Sequence, residues 1–330
     1  MRVAFELSLE HATLPRADAL AALEAERVRI RGVSFAPEIL VVDAVRPPRR
    51  ALERVALSRY ADRVLAIGFL PSVLRAAALV DVHGERFRVR AHGPFTAEEK
   101  RDLERRVGAA IATTGRVDLD SPERDFRLLR YGDGFLLGEV LYEVERSAME
   151  ARKVARRPFS MPISLHPKLA RTLVNLSRCP RGGRVLDPFC GTGGIAIEAA
   201  RLGMKVFASD LQEKMVRGTA SVLDHYGLRA ETFVADVGDV PRRVAKLDAI
   251  ATDPPYGRAA STRGEPIAAL YRRAFAAFRE ILPKGGFAAV VLPSEEAIAI
   301  GEEFLRLEEA HTLRVHGTLT RTFCAFVRSQ

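Results

Sequence analysis

Cysteine is scarce in this chain, long apolar runs are missing, and no internal repeat is visible; each absence removes a class of protein. Cys179, Cys190 and Cys324 are odd in number and widely spaced. They make neither a disulfide framework nor metal-ligand pairs, so no metal site is expected and a reducing cytoplasm is the expected compartment. The longest apolar runs, such as Phe287 to Leu292, fall far short of the roughly 18 residues of a membrane-spanning helix. No membrane association is expected. No basic n-region leads into a continuous apolar stretch at the N-terminus, so no signal peptide is expected either. No low-complexity tract occurs, and no period of solenoid or propeller length.

What is present is the balance of a globular protein of two or three domains, 330 residues with 48% hydrophobic and 28% charged side chains. The net charge of +9 is unevenly placed. Residues 1–150 hold 24 basic and 24 acidic residues, so the whole excess lies beyond them. Much of it sits between Arg146 and Arg171, where Arg152, Lys153, Arg156, Arg157 and Lys168 crowd together. A clustered basic excess is the footprint of a polyanion partner. A solvated linker in an arginine-rich chain would look the same, since Arg outnumbers Lys 44 to 7.

Residues 1–145 read as α+β. Strands are expected over Val3–Leu9, Glu38–Val45, Arg63–Phe69, Phe87–His92, Arg127–Leu129 and Phe135–Val144. Helices are expected over Arg16–Glu26 and Thr96–Ala112, the second opened by Thr96 with Glu99 as its capping-box partner. Nothing there looks catalytic. Beyond Arg184, short apolar strands alternate with helices, which implies βαβ units and a doubly wound, mostly parallel sheet. Ligands of such sheets bind beyond the carboxyl ends of the strands.

Two motifs fall at those ends. The first, Asp187-Pro188-Phe189-Cys190-Gly191-Thr192-Gly193-Gly194, closes a strand and opens a helix. Its glycines let backbone approach a ligand that a Cβ would block. The Lys-Ser/Thr ending of a triphosphate loop is missing, and Ala196 stands where a dinucleotide fingerprint has its third glycine. Acids close successive strands instead: Asp187, then Asp210 before Leu211, then Asp236. Asp210 suits ribose hydroxyls, Asp236 an adenine amino group, and Asp187 the cationic amino-acid end of a ligand. The second motif is Asp253-Pro254-Pro255-Tyr256. An exocyclic base amine is a poor nucleophile because its lone pair is delocalised into the ring. The Asp253 carboxylate and the Pro254 carbonyl can each accept a hydrogen bond from it and aim that lone pair. The prolines stiffen the loop, and Tyr256 offers a face to a base taken out of its stack.

This pair of motifs resembles the class I amino-methyltransferases with an Asp/Asn-Pro-Pro-Tyr acceptor loop. Arg157-Pro158-Phe159, Pro162 to Arg171, Asn175-Leu176, Gly257 to Thr262 and His316 to Arg321 narrow the likeness. They are similar to stretches of the archaeal tRNA (guanine-N2) dimethyltransferases and their eukaryotic relatives, which act on the guanosine at position 10. The resemblance covers residues 157–330. It implies S-adenosyl-L-methionine as cofactor and tRNA as partner, with a protein activator or a homodimer left open. It implies a ferredoxin-like module over 1–55, a THUMP-like RNA-binding domain over 56–145, a basic linker over 146–165 and a Rossmann-like methyltransferase domain over 166–330. The acceptor residues map to Asp253, Pro254, Pro255 and Tyr256, and the cofactor residues to Asp187, Gly191, Gly193, Asp210, Leu211 and Asp236. Arg152, Lys153, Arg156, Arg157, Arg258 and Arg321 are candidate RNA contacts, and His166 reads as a helix-capping or loop residue rather than a ligand. The competing readings are a DNA adenine-N6 or cytosine-N4 methyltransferase, a protein glutamine methyltransferase, and a non-catalytic RNA-binding protein with a degenerate methyltransferase fold.

Overall fold

The computed structural model describes residues 1–112, 114–161, 164–256, 265–316 and 319–329. The chain forms two units: residues 1–10, 28–53 and 58–144, and residues 11–27, 54–57 and 145–330.

The first unit is built on one eight-stranded sheet of β1 (Arg2–Leu7), β2 (Ile30–Ala36), β3 (Ile39–Ala44), β4 (Ser58–Gly68), β5 (Arg86–His92), β6 (Arg116–Val117), β7 (Arg124–Tyr131) and β8 (Gly134–Glu143). Their order is β2-β3-β1-β4-β8-β7-β5-β6. Strict alternation in β5 sends Phe87, Val89 and Ala91 to one face, where they pack with Val73, Leu103 and Val107. Those partners come from α3 (Leu70–Ala77) and α4 (Ala97–Ile111); α1 is Leu14–Ala25 and α2 is Arg49–Leu52. The Thr96–Glu99 capping box forms as expected. Elsewhere in the sheet Arg127 is fully buried, paired with Glu6 and with Asp62 at 3.1 Å, its guanidinium 3.9 Å from the Tyr60 ring centroid. Burial lifts the Asp62 carboxyl to about 7 against the pull of Arg127.

This arrangement departs from the expected boundaries. Strand β1 pairs with β3 on one side and β4 on the other, so the expected modules 1–55 and 56–145 share a single sheet. Helix α1 and residues 54–57 belong instead to the second unit. The reason is a buried polar knot. Asn175 donates to Asp18 at 2.8 Å and to the Arg54 carbonyl at 3.0 Å, while its own oxygen accepts from Arg54 Nε at 3.1 Å. Asp18 also accepts from the Ala56 and Leu57 amides. Removing any one partner strands buried polar groups.

The second unit has a seven-stranded sheet, β11-β10-β9-β12-β13-β15-β14. Its strands are β9 (Arg184–Asp187), β10 (Lys205–Asp210), β11 (Glu231–Val234), β12 (Ala249–Thr252), β13 (Phe287–Leu292), β14 (Arg306–His316) and β15 (Leu319–Val327). β9 to β13 run parallel; β15 enters antiparallel between β13 and β14. Both faces are covered, so the strands are apolar on both sides. Val185, Ala249, Ala251 and Val291 face a core with Leu173 and Ile195, from α6 (Pro167–Leu176) and α7 (Gly194–Arg201). Leu186, Ile250, Val290 and Phe326 face another with Phe275, Phe278 and Ile300. Those side chains lie on α10 (Ile267–Ile281) and α11 (Glu295–Glu302); α5 is Arg146–Glu150, α8 Glu213–His225 and α9 Val240–Arg243. The strand order turns back between β9 and β12, and that crevice is the ligand position of an open α/β sheet. The three cysteines are buried free thiols.

Candidate active site

The glycine turn after β9 is shaped by its own backbone. Gly191 and Gly193 have φ of 49° and 78°, in the left-handed region that glycine adopts at least cost. A Cβ on Gly193 would also come within 3.1 Å of the Thr219 side chain. Thr219, on α8, donates its hydroxyl to the Gly191 carbonyl at 3.0 Å, and the Gly191 amide donates to Asp210 at 3.1 Å. Asp210, expected as a ribose acceptor, therefore also holds the turn, and its other oxygen accepts from the Gln212 amide at 2.9 Å. Burial raises its carboxyl above the usual range. Leu211 follows it, partly exposed.

Asp187 and the acceptor loop meet across the crevice. Thr252, the last residue of β12, donates its hydroxyl to Asp187 Oδ1 at 2.8 Å. Asp187 is buried, and its Oδ2 has no hydrogen-bond partner among the described residues. Burial lifts this carboxyl to about 7, with the negative charges of Asp253 and Asp210 adding to it. An orphaned acceptor beside a left-handed glycine turn suits a ligand that brings a cation and close backbone contact. These residues fit the amino-acid end of S-adenosylmethionine. Asp236 is more heavily engaged than expected: it accepts from the Gly238 amide at 2.9 Å and pairs with Arg273 of α10, which also binds Glu265.

The acceptor loop leaves β12 with Asp253 half-buried. Desolvation raises its carboxyl to about 7, opposed by the positive charge of Arg321. The Tyr256 hydroxyl donates to the Asp253 carboxylate, so the ring expected to stack a base is tied to the acid beside it. Arg321 lies 5.5 Å from the Tyr256 ring centroid, within cation–π range. It is buried at this site, where the sequence offered it as a candidate RNA contact. Buried Tyr271 of α10 donates to the Pro255 carbonyl at 2.8 Å and pins the loop from behind. Tyr271, Arg273 and Thr219 escape a motif search because no fixed spacing ties them to the loops they hold.

The expected basic linker needs correcting. Arg152 is 4% exposed and grips Glu198 of α7 with Nε at 2.8 Å and Nη2 at 3.2 Å; Arg171 binds the same carboxylate at 2.8 Å. Glu198 is fully buried, and two guanidiniums offset the cost of its charge. Arg157 is also buried, with Nε donating to the Arg152 carbonyl at 2.9 Å. Both side chains are buried rather than displayed on the surface. Lys153, which pairs with Glu150, and Arg156 are the exposed members. Arg258 lies outside the described residues. His166 caps α6 as expected, accepting from the Lys168 amide at 3.3 Å.

An acid, a constrained Pro-Pro-Tyr loop and a glycine turn at the switch point of a 3-2-1-4-5-7-6 sheet define a Rossmann-like methyltransferase. Residues 154–322 match the RMKL-like methyltransferase domain family. The chain belongs to the tRNA (guanine(10)-N2)-dimethyltransferase family. It is 36% identical to the tRNA (guanine(10)-N2)-dimethyltransferase of Methanothermobacter thermautotrophicus over 323 residues, 96% of each chain. It is also 36% identical to the enzyme of that name from Pyrococcus abyssi, over 69% of each. The crystal structure of TrmN from Thermus thermophilus aligns with a TM-score of 0.52 at 26% identity, over 99% of this chain and 100% of that one.

Proposed function

We propose that this chain transfers methyl from S-adenosylmethionine to the exocyclic N2 of a guanosine in tRNA, at position 10, giving N2-methyl- and/or N2,N2-dimethylguanosine. The observation that carries this reading is the placement of Asp253-Pro254-Pro255-Tyr256 opposite the glycine turn, joined to it by the Thr252–Asp187 hydrogen bond. S-adenosylmethionine, when bound, supplies an electrophilic methyl on a sulfonium. The rest is done by the chain. Asp187 accepts the ammonium of the cofactor's amino-acid end, Asp210 the ribose hydroxyls, and Asp236 meets the adenine side. Asp253 and the Pro254 carbonyl accept from the guanine amine; the amine takes over the place held by the Tyr256 hydroxyl, which frees the ring to lie against the base. Positive charge growing on the attacking nitrogen is stabilised by the Asp253 carboxylate, an interaction strongest in the transition state. The first unit serves as the THUMP-like RNA-binding module, and the setting is the cytoplasm.

Mass spectrometry of nucleosides from a tRNA transcript incubated with protein and S-adenosylmethionine tests the reading. N2-methylguanosine lost on changing G10 supports it; methylation of adenine or of DNA instead would replace it with the alternative acceptor class.

A further inference from the structure

Arg157 is a cation that the fold buries near Glu198 and the Tyr226 hydroxyl, yet without a hydrogen bond to its outer edge among the described residues. It is 6% exposed, and its Nη1 and Nη2 have no hydrogen-bond partner among the described residues. The nearby carboxylate does not serve it, because both Glu198 oxygens are taken by Arg152 and Arg171. Burial accordingly lowers the Arg157 pKa. A desolvated guanidinium with its outer edge unpaired is destabilising, and such a cost persists where a ligand offsets it.

Its position says which ligand. Nη1 lies 3.2 Å from where a Cβ on Gly194 would stand, so the missing side chain makes the room it occupies. Gly194 is the first residue of α7, where the helix dipole also favours an anion. At the other end of the same turn stands Asp187, with its own buried, unpaired Oδ2. A carboxyl oxygen and a guanidinium edge, each without a partner among the described residues, thus bracket the Pro188–Gly193 turn. A zwitterionic α-amino acid group matches both, and a guanidinium edge with two N–H donors matches a carboxylate in particular. We propose that Arg157 is the binding residue for the α-carboxylate of the methyl donor's amino-acid end. This rests on the S-adenosylmethionine reading above and turns the Arg157 segment from an RNA tether into a wall of the donor pocket.

Calorimetric titration of the full chain with S-adenosylhomocysteine and with its decarboxylated analogue tests it. Wild type is expected to bind the analogue about 10- to 100-fold more weakly, the size of lost charge-assisted hydrogen bonds. In Arg157→Gln that ratio should collapse to about threefold or less, with S-adenosylhomocysteine weakened towards the analogue. Arg157→Lys, which keeps the charge, should retain part of the preference. A wild type indifferent to the carboxylate overturns the proposal even if the Gln variant fails to fold. So does a folded Gln variant that keeps the full ratio, or one whose only loss is salt-dependent tRNA affinity, which would mark a phosphate contact. Wild type binding neither ligand would instead overturn the donor reading, and the inference with it.

Discussion

Asp253→Asn changes one atom in the acceptor loop and removes a charge without removing volume. In the folded protein this carboxyl is raised to about 7 by desolvation, with Arg321 pulling the other way. Near neutral pH only part of the molecules therefore carry the carboxylate that, in the mechanism proposed above, stabilises the amine as it gains positive charge. Losing one preorganised group of this kind costs about 10²–10³ in rate. The pH dependence supplies the sharper signature. Wild-type transfer should rise with pH as a single group of pKa near 7 ionises, reaching about a tenth of its plateau one unit below. The Asn variant should be slow and flat across that range. Asp187 carries a similar shift, so the assay is run at saturating cofactor, where changes in affinity do not register. Stability moves the other way. A carboxyl whose folded pKa lies above its unfolded value favours the fold at low pH, and that contribution is lost as pH rises through the folded value. Asn does not titrate, so the variant should melt higher than wild type at pH 8 and gain less at pH 5. The measurement is single-turnover transfer of labelled methyl to tRNA between pH 5.5 and 8.5. A drop below threefold with unchanged cofactor affinity, or an Asn variant that keeps the pH limb, would refute the role given to Asp253.

Tyr271→Phe removes the 2.8 Å hydrogen bond to the Pro255 carbonyl and should lower stability by about 1 kcal/mol. It should cut single-turnover transfer several-fold and leave S-adenosylhomocysteine affinity unchanged; paired denaturant melts and kinetics read both. A fragment of residues 150–330 should not behave as a stable domain, because it lacks α1 and residues 54–57 and leaves Asn175 without its buried partners Asp18 and Arg54. Solubility and thermal melting check this, and a cooperative fragment with full cofactor affinity would contradict it. Changing the exposed Lys153 and Arg156 to Ala should flatten the salt dependence of tRNA binding by about two contacts' worth, a slope change near 1.4–1.8. An unaltered slope in filter binding would leave both as solvated surface.

The parts of this protein readable from sequence are those whose chemistry is enforced within a few residues. Asp187 to Gly194 and Asp253 to Tyr256 each place backbone and side chain together, so residue type and spacing carry the information. Thr96 and Glu99 cap α4 for the same local reason. What the sequence hides is set by distance along the chain. Tyr271 reaches the acceptor loop from 16 residues away, and Arg273 reaches Asp236 from 37. Asp18 finds Asn175 across 157 residues, and that bond helps assign a helix of the first fifty residues to the methyltransferase unit. Strand β2 has no buried face to mark it: it lies at a sheet edge with Val33 and Phe35 exposed. Charge is the least transferable signal. Arg152, Lys153, Arg156 and Arg157 look alike in composition, yet two are buried and two are exposed. Burial is what separates them: Arg152 answers a buried carboxylate that is part of the fold, whereas the outer donors of Arg157 have no partner among the described residues. Buried polar groups are ordinarily hydrogen-bonded, so a buried guanidinium with both outer nitrogens unpartnered among the described residues is the place where the proposed carboxylate contact is tested.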